Sequence, residues 1–151
     1  LSTDIIVGFP GETDADFEDT LALVRRIGFA RAFSFKYSAR PGTPAATLPH
    51  QVPERIARER LHLLQSLLDE EAKAFDAATV GRKLKVLFER QGRKPGQIAG
   101  RSPYLQAVHG AGPKDLIGQI VDVDIVSAGP NSLTGVIKSE FEWREPVQAA
   151  V

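Results

Sequence analysis

TDIIVGFPGET, residues 3–13, decides how the chain begins to fold. Ser2 to Phe9 is a short run that ends at Pro10-Gly11 and is apolar on both faces, the pattern of a strand buried in a parallel sheet. Thr13 has the character of a helix N-cap. Asp14, Asp16, Glu18 and Asp19 crowd the first turns, where carboxylates suit the partial positive charge of a helix N-terminus. Phe17, Leu21 and Val24 then make an apolar stripe at helical spacing, and Gly28 supplies the left-handed residue that stops it. Working outward, Phe33, Phe35 and Tyr37 alternate with Ala32, Ser34 and Lys36, which is the period of a strand over Ala30 to Tyr37. Residues 2–37 therefore read strand–helix–strand, a crossover unit of a parallel sheet. An aromatic stripe at that spacing is core sooner than a stacking platform.

Ser38 to Val52 carries Pro41, Gly42, Pro44 and Pro49 and is expected to hold no regular structure. Pro53 suits the first position of a helix. From Glu54 the residues Ala57, Leu61, Leu64, Leu68, Ala72 and Phe75 keep one face of a long amphipathic helix that ends near Thr79 to Gly81. The pattern then changes. Lys83–Glu89, Gln97–Arg101, Gln106–His109, Gly118–Ser127 and Ser132–Ser139 read as short strands punctuated by Gly and Pro, which predicts a small closed barrel. The fold class is α/β followed by all-β. The domains are residues 1–80, residues 81–140 and a loose tail, 141–151.

The 151 residues suffice for one ordinary domain or two small ones, and the net charge is zero. That balance conceals a division. Residues 1–79 carry 9 basic and 12 acidic side chains, net −3, whereas residues 80–151 carry 10 and 7, net +3. There is no Cys, so the chain has no disulfide, thiolate nucleophile or cysteine-held metal of its own. There is no Met either, and Leu1 opens almost directly into Ile5-Ile6-Val7, a run too short for a signal sequence or membrane span. Residue 1 is read as a truncation point or a chosen boundary.

Gly8-Phe9-Pro10-Gly11-Glu12 lies between a strand and a helix, at the end where α/β folds bind ligands. It has neither the Gly-Lys-Ser/Thr of a P-loop nor the three-glycine spacing of a dinucleotide site, so a tight structural turn is the simpler reading. Arg40, in Ser38-Ala39-Arg40-Pro41-Gly42-Thr43-Pro44, either grips an anion from a stiff loop or is a solvated surface cation. His50, His62 and His109 have no carboxylate or second His at ligand spacing, so none receives a catalytic or metal role. Asp122 and Asp124 read as solvated or loop-capping. Arg82, Lys83, Lys85, Arg90, Arg93, Lys94 and Arg101 crowd into twenty residues, with Phe88 and Tyr104 among or near them. Clustered cations and aromatics on a small β-barrel are the footprint of an RNA binder, against the plainer reading of a solvated charged hairpin. Lys85, Phe88, Arg93, Lys94 and Arg101 are the candidate RNA-contacting residues.

TDIIVGFPGET, together with FSFKYSARPGTPAA at Phe33 to Ala46, resembles the radical S-adenosylmethionine methylthiotransferases, and within them the branch acting on isopentenyladenosine in tRNA. Residues 82–138, with LIGQ at Leu116–Gln119 and SLTG at Ser132–Gly135, are similar to that family's C-terminal TRAM domain. Sister branches modify threonylcarbamoyladenosine in tRNA or a ribosomal-protein aspartate. The Arg40-Pro41-Gly42-Thr43-Pro44 run favours the isopentenyladenosine branch. The resemblance implies that residues 1–80 are the last two strand–helix units of a (β/α) radical barrel, followed by a five-stranded OB-like TRAM barrel. It implies a cytoplasmic parent enzyme that uses S-adenosylmethionine and two 4Fe-4S clusters, held by cysteines upstream of Leu1. It implies as partners the tRNA anticodon stem-loop and the missing N-terminal part of the same polypeptide.

Ile6-Val7-Gly8 fits part of that family's cofactor-lining strand motif, although Asp4 and Gly11 depart from its flanking Gly and Glu. On this resemblance Ile6, Gly8, Phe35, Tyr37 and Arg40 are the cofactor-facing candidates. No catalytic or metal-ligating residue is assigned, and the isolated chain is expected to be inactive. The competing readings are a stand-alone, non-enzymatic RNA-binding module and a protein-interaction domain using the Leu-rich helix.

Overall fold

A computed structural model describes residues 1–137 and divides them into two compact units. The first comprises Leu1–Val80 and Tyr104–Gln106; the second holds Gly81–Pro103 and the chain from Ala107 onward. The expected tail, 141–151, lies outside the described residues.

In the first unit, β1 (Ser2–Val7) and β2 (Arg31–Lys36) pair in parallel, with Asp4 opposite Phe33 and Ile6 opposite Phe35. Between them runs α1 (Asp14–Ile27). It starts on a capping box in which Thr13 Oγ1 accepts from Asp16 N–H and the Asp16 carboxylate accepts from Thr13 N–H, 2.9 Å. It stops at Gly28, φ +61°, whose N–H reaches Val24. A 26-residue helix, α2 (Glu54–Thr79), completes the unit. Val7, Phe17, Leu21, Val24, Phe29, Leu64 and Leu68 form the core, and the wholly buried Leu64 alone is worth about 1.5–3 kcal/mol of apolar transfer.

Three expectations are corrected here. Pro44–Thr47 is a turn of 3-10 helix inside the segment read as irregular, started by Pro44 at its first position. β1 is not covered on both faces within this unit: Ile6 is 57% exposed. The Phe33–Phe35 stripe is likewise not core, because α1 and α2 cover only the face of Val7 and Ala32. Two buried charged residues complete α2. The Arg60 guanidinium bonds the Glu12 carbonyl at 3.1 Å and the Asp14 carboxylate at 2.6 Å, lies 3.2 Å from the Glu12 carboxylate, and sits over the Phe17 ring. Asp76 accepts from Arg31 at 3.0 Å and from Gln106 at 2.9 Å.

The second unit is a closed barrel of β3 (Lys83–Gln91), β4 (Gln97–Arg101), β5 (Ala107–Ala111), β6 (Ile120–Ala128) and β7 (Leu133–Ile137). β3, β4 and β5 follow one another as antiparallel neighbours. β6 returns beside β3, a Greek key, and β7 closes the gap between β5, in parallel, and β6. This is an OB-like barrel. Period-two alternation sends Val86, Phe88, Ile98, Val108, Val123, Ile125 and Leu133 inside. So narrow a barrel needs glycine where strands converge. A Cβ on Gly100 would lie 1.9 Å from the Leu87 carbonyl oxygen, a backbone atom with little room to retreat. No helix among the described residues is long and apolar enough to cross a membrane.

Candidate nucleic-acid interface

The outer face of β4 and β5 forms the floor of a groove of about 440 Å³. The register arranges it in rows. Arg90 on β3 faces Ala99 on β4, Ala99 faces His109 on β5, and His109 faces Thr134 on β7. The next row places Arg101 opposite Ala107. Arg90 reaches this face because a β-bulge between Phe88 and Arg90 inserts an extra residue; without it, alternation would turn Arg90 inward beside Phe88.

Loops wall the groove at its two ends. The 92–96 loop contributes Arg93 and Lys94, and the turn before β7 contributes Asn131 and Ser132. The first loop is braced from the floor. The Gln97 side-chain oxygen accepts from the backbone N–H of Arg93 (3.1 Å) and of Lys94 (3.3 Å), while Gly92 N–H donates to the Gln97 carbonyl at 2.7 Å. Those backbone donors are thus spent internally, and the two cationic side chains are displayed from a fixed loop. Arg90, Arg93, Lys94 and Arg101 line the space against one carboxylate, Glu89, which lies 3.5 Å from Arg101. Four cations around a shallow polar groove attract a polyanion. In OB-fold barrels the face of the second and third strands, with the first–second and fourth–fifth loops, is the surface that binds oligonucleotides, and the groove occupies that position.

Arg93, Lys94 and Arg101 are thus brought together. Two other expected RNA contacts are not. Phe88 is wholly buried among the core side chains of the barrel and offers no face for stacking. Lys85 is outside the groove lining and pairs with Asp122 across β3 and β6, 3.3 Å. Asp122 is therefore a solvated cross-strand partner, and Asp124 stands opposite Lys83 in the same ladder. Tyr104 packs edge-on to Phe75 in the first unit, 5.3 Å between centroids.

The expected cofactor-facing residues lie at or just beyond the C-terminal ends of β1 and β2, and only two of them share the uncovered face. Ile6 and Phe35 are cross-strand neighbours on the uncovered face, 57% and 52% exposed. Tyr37 follows β2; its ring meets Phe9 edge-on at 5.2 Å, and its buried hydroxyl has no hydrogen-bond partner. Arg40 is exposed at the start of a turn in which Thr43 N–H donates to the Arg40 carbonyl, 3.1 Å, with Pro41 and Gly42 (φ +82°) at the central positions. Gly8 is a structural glycine. Its φ is +74°, an added Cβ would stand 2.6 Å from Ala57 Cβ, and its N–H is taken by the Glu12 carboxylate, which also accepts from Phe9 N–H at 3.1 Å.

The TRAM domain family matches residues 77–138, which contain every strand of the barrel. Beyond it, the chain is 57% identical over 135 residues to a tRNA-2-methylthio-N(6)-dimethylallyladenosine synthase of Novosphingobium aromaticivorans. It is 58% identical over 135 residues to the proteins of the same name from Maricaulis maris and Cereibacter sphaeroides. Over the aligned residues the chain is homologous to these synthases. The alignments cover 89% of this chain but 30–31% of those proteins, so the chain spans about a third of their length.

Within the TRAM barrel, the sequence counted Arg90 in its basic cluster without naming it a contact, and gave Gln97 and His109 no role. The bulge is what puts Arg90 on the groove face. Gln97 has no local signature. His109 looked isolated because its neighbours, Ala99 and Thr134, come from other strands.

Proposed function

We propose that this chain is the C-terminal part of a radical S-adenosylmethionine methylthiotransferase, cytoplasmic in setting, that adds a methylthio group to C2 of isopentenyladenosine beside the anticodon. The TRAM barrel grips the tRNA anticodon stem-loop through Arg93, Lys94 and Arg101, with Lys85 outside the groove. The first unit, as the last two strand–helix units of the radical barrel, presents Ile6, Phe35, Tyr37 and Arg40 to the cofactor. The cation-lined groove on the nucleic-acid face of the barrel carries this reading. The names of the related synthases favour it over the sister activities on threonylcarbamoyladenosine or a ribosomal-protein aspartate.

The fit to the cofactors is divided. The exposed apolar face of Ile6 and Phe35 suits a purine ring. When bound, S-adenosylmethionine supplies the radical-generating and methyl-donating chemistry. The 4Fe-4S clusters do not fit this chain's residues: it has no cysteine thiolate, and the described residues hold no group of three metal-ligating side chains. They belong to the rest of the polypeptide, so no step through them is derived for these residues.

The test is binding of this chain to the anticodon stem-loop carrying isopentenyladenosine, set against a hairpin of equal length and unrelated sequence. Saturable binding that weakens with salt supports the reading. Absence of binding to either hairpin defeats it.

A further inference from the structure

His109 has a setting unlike that of any other side chain in the groove. On its own strand its same-face neighbours are Ala107 and Ala111; across β4 it faces Ala99, and across β7 it faces Thr134, whose Oγ1 lies 3.5 Å from His109 Nε2. Its direct same-face neighbours are thus small, and the half-buried imidazole has longer side chains only on the β4 diagonals, Gln97 and Arg101. The cations ring it. Arg90 lies two strands away in the same row, Arg101 on the diagonal, and Arg93 and Lys94 in the loop beyond.

Among the described residues of the barrel unit, Phe88 is the sole Phe, Tyr or Trp, and it is buried. Among the described residues the groove therefore has no row of aromatic platforms of the kind on which successive bases stack in single-strand-binding barrels. What it offers is four phosphate-binding cations and one imidazole. Its volume, about 440 Å³, falls in the range of small-ligand pockets, about 300–1,000 Å³, which accepts an extruded nucleotide but not the width of a duplex.

We infer that the groove holds a single-stranded RNA segment by its phosphates and seats one unstacked base against His109. This rests on the RNA-binding reading above and deepens it. The ligand class is a single-stranded, loop-type RNA. His109 is a base-contacting residue, and the alanines around it are the space that the base fills. A duplex meets the same cations along its backbone but has no free base to place there.

The full chain is titrated at fixed salt with a short single-stranded RNA, the same strand made abasic, and its duplex. His109→Ala should weaken the base-bearing strand on the order of tenfold, the scale of one base–aromatic stack. It should leave the abasic strand and the duplex within about twofold. His109→Phe should restore the base-bearing strand. Thermal melting of both variants establishes that they are folded. Equal weakening of all three ligands by His109→Ala, or no weakening of any, overturns the base seat while leaving RNA binding intact. Failure of the unsubstituted chain to bind any of the three removes the RNA-binding reading itself, and the base seat with it.

Discussion

Replacing Arg93, Lys94 and Arg101 together by alanine should flatten the salt dependence of RNA binding as well as weaken it. Four cations line the groove. Each phosphate neutralised on a single strand releases about 0.7 of a counterion, so four contacts give a slope of about −2.8 in log K against log salt. Removing three leaves Arg90 and a slope of about −0.7. Between 50 and 200 mM salt the unsubstituted chain should then lose about fiftyfold in affinity and the triple variant about threefold. The floor under these side chains is built from β4 and β5 backbone, and all three are exposed, so the barrel should fold unaltered. Lys85→Ala is the matched control, removing a cation that the cross-strand pair with Asp122 already engages off the groove. Fluorescence anisotropy of a labelled single strand across a salt series reads both slopes. A triple variant with the parental slope, or a Lys85→Ala slope that falls as far, would refute the assignment of phosphate contacts to the groove.

Two further outcomes follow from the packing and from the cap of α1. Gly100→Ala drives a Cβ into the Leu87 carbonyl, and denaturant unfolding should show a loss of about 3 kcal/mol or more, at the upper end for overpacked sites; a change below about 1 kcal/mol would mean that β3 can retreat. Asp16, held below the ordinary carboxylate range by its hydrogen bonds from the Thr13 hydroxyl and backbone, contributes stability that is complete above the unfolded Asp pKa of about 3.9 and is lost as pH falls through the lower folded value. Glu54, lowered by hydrogen bonds from Lys36 and Arg58, acts with the same sign. NMR titration should find the Asp16 pKa restored toward its ordinary value in Thr13→Ala, and an unchanged midpoint would discount the capping box as its cause.

The order of elements was legible where periodicity and capping agreed. Thr13, the stripe Phe17–Leu21–Val24 and Gly28 lie where a cap, an apolar face and a left-handed stop belong. Gln97–Arg101 has the predicted bounds. What periodicity cannot reveal is which face of an apolar strand receives a cover. β1 reads apolar on both faces and β2 alternates, yet only the Val7–Ala32 face meets α1 and α2, leaving Ile6, Phe33 and Phe35 exposed. The buried ions of α2 were equally hidden. Arg60 and Asp76 interrupt no apolar pattern, and their partners Glu12, Asp14 and Arg31 are forty or more residues away.

The interface was legible as composition and illegible as geometry, and the reason is the two-residue period of a strand. Lys83, Lys85 and Arg90 are close in sequence and equal in charge, but Lys85 pairs with Asp122 and Lys83 stands opposite Asp124 in the register with β6, whereas the bulge swings Arg90 out beside Ala99. The number of cations thus says little about where a polyanion binds, because half of a basic strand can be neutralised by the strand beside it. The groove arises where four cations converge on a single carboxylate, Glu89: from the end of β3, from the loop clamped by Gln97, and from Arg101. Its floor is kept low by Ala99 and Ala107, residues with no charge or chemistry to attract notice in a sequence. Bulkier side chains there would close the groove and leave all four cations in place, a surface that still attracts RNA but has no space to receive a base.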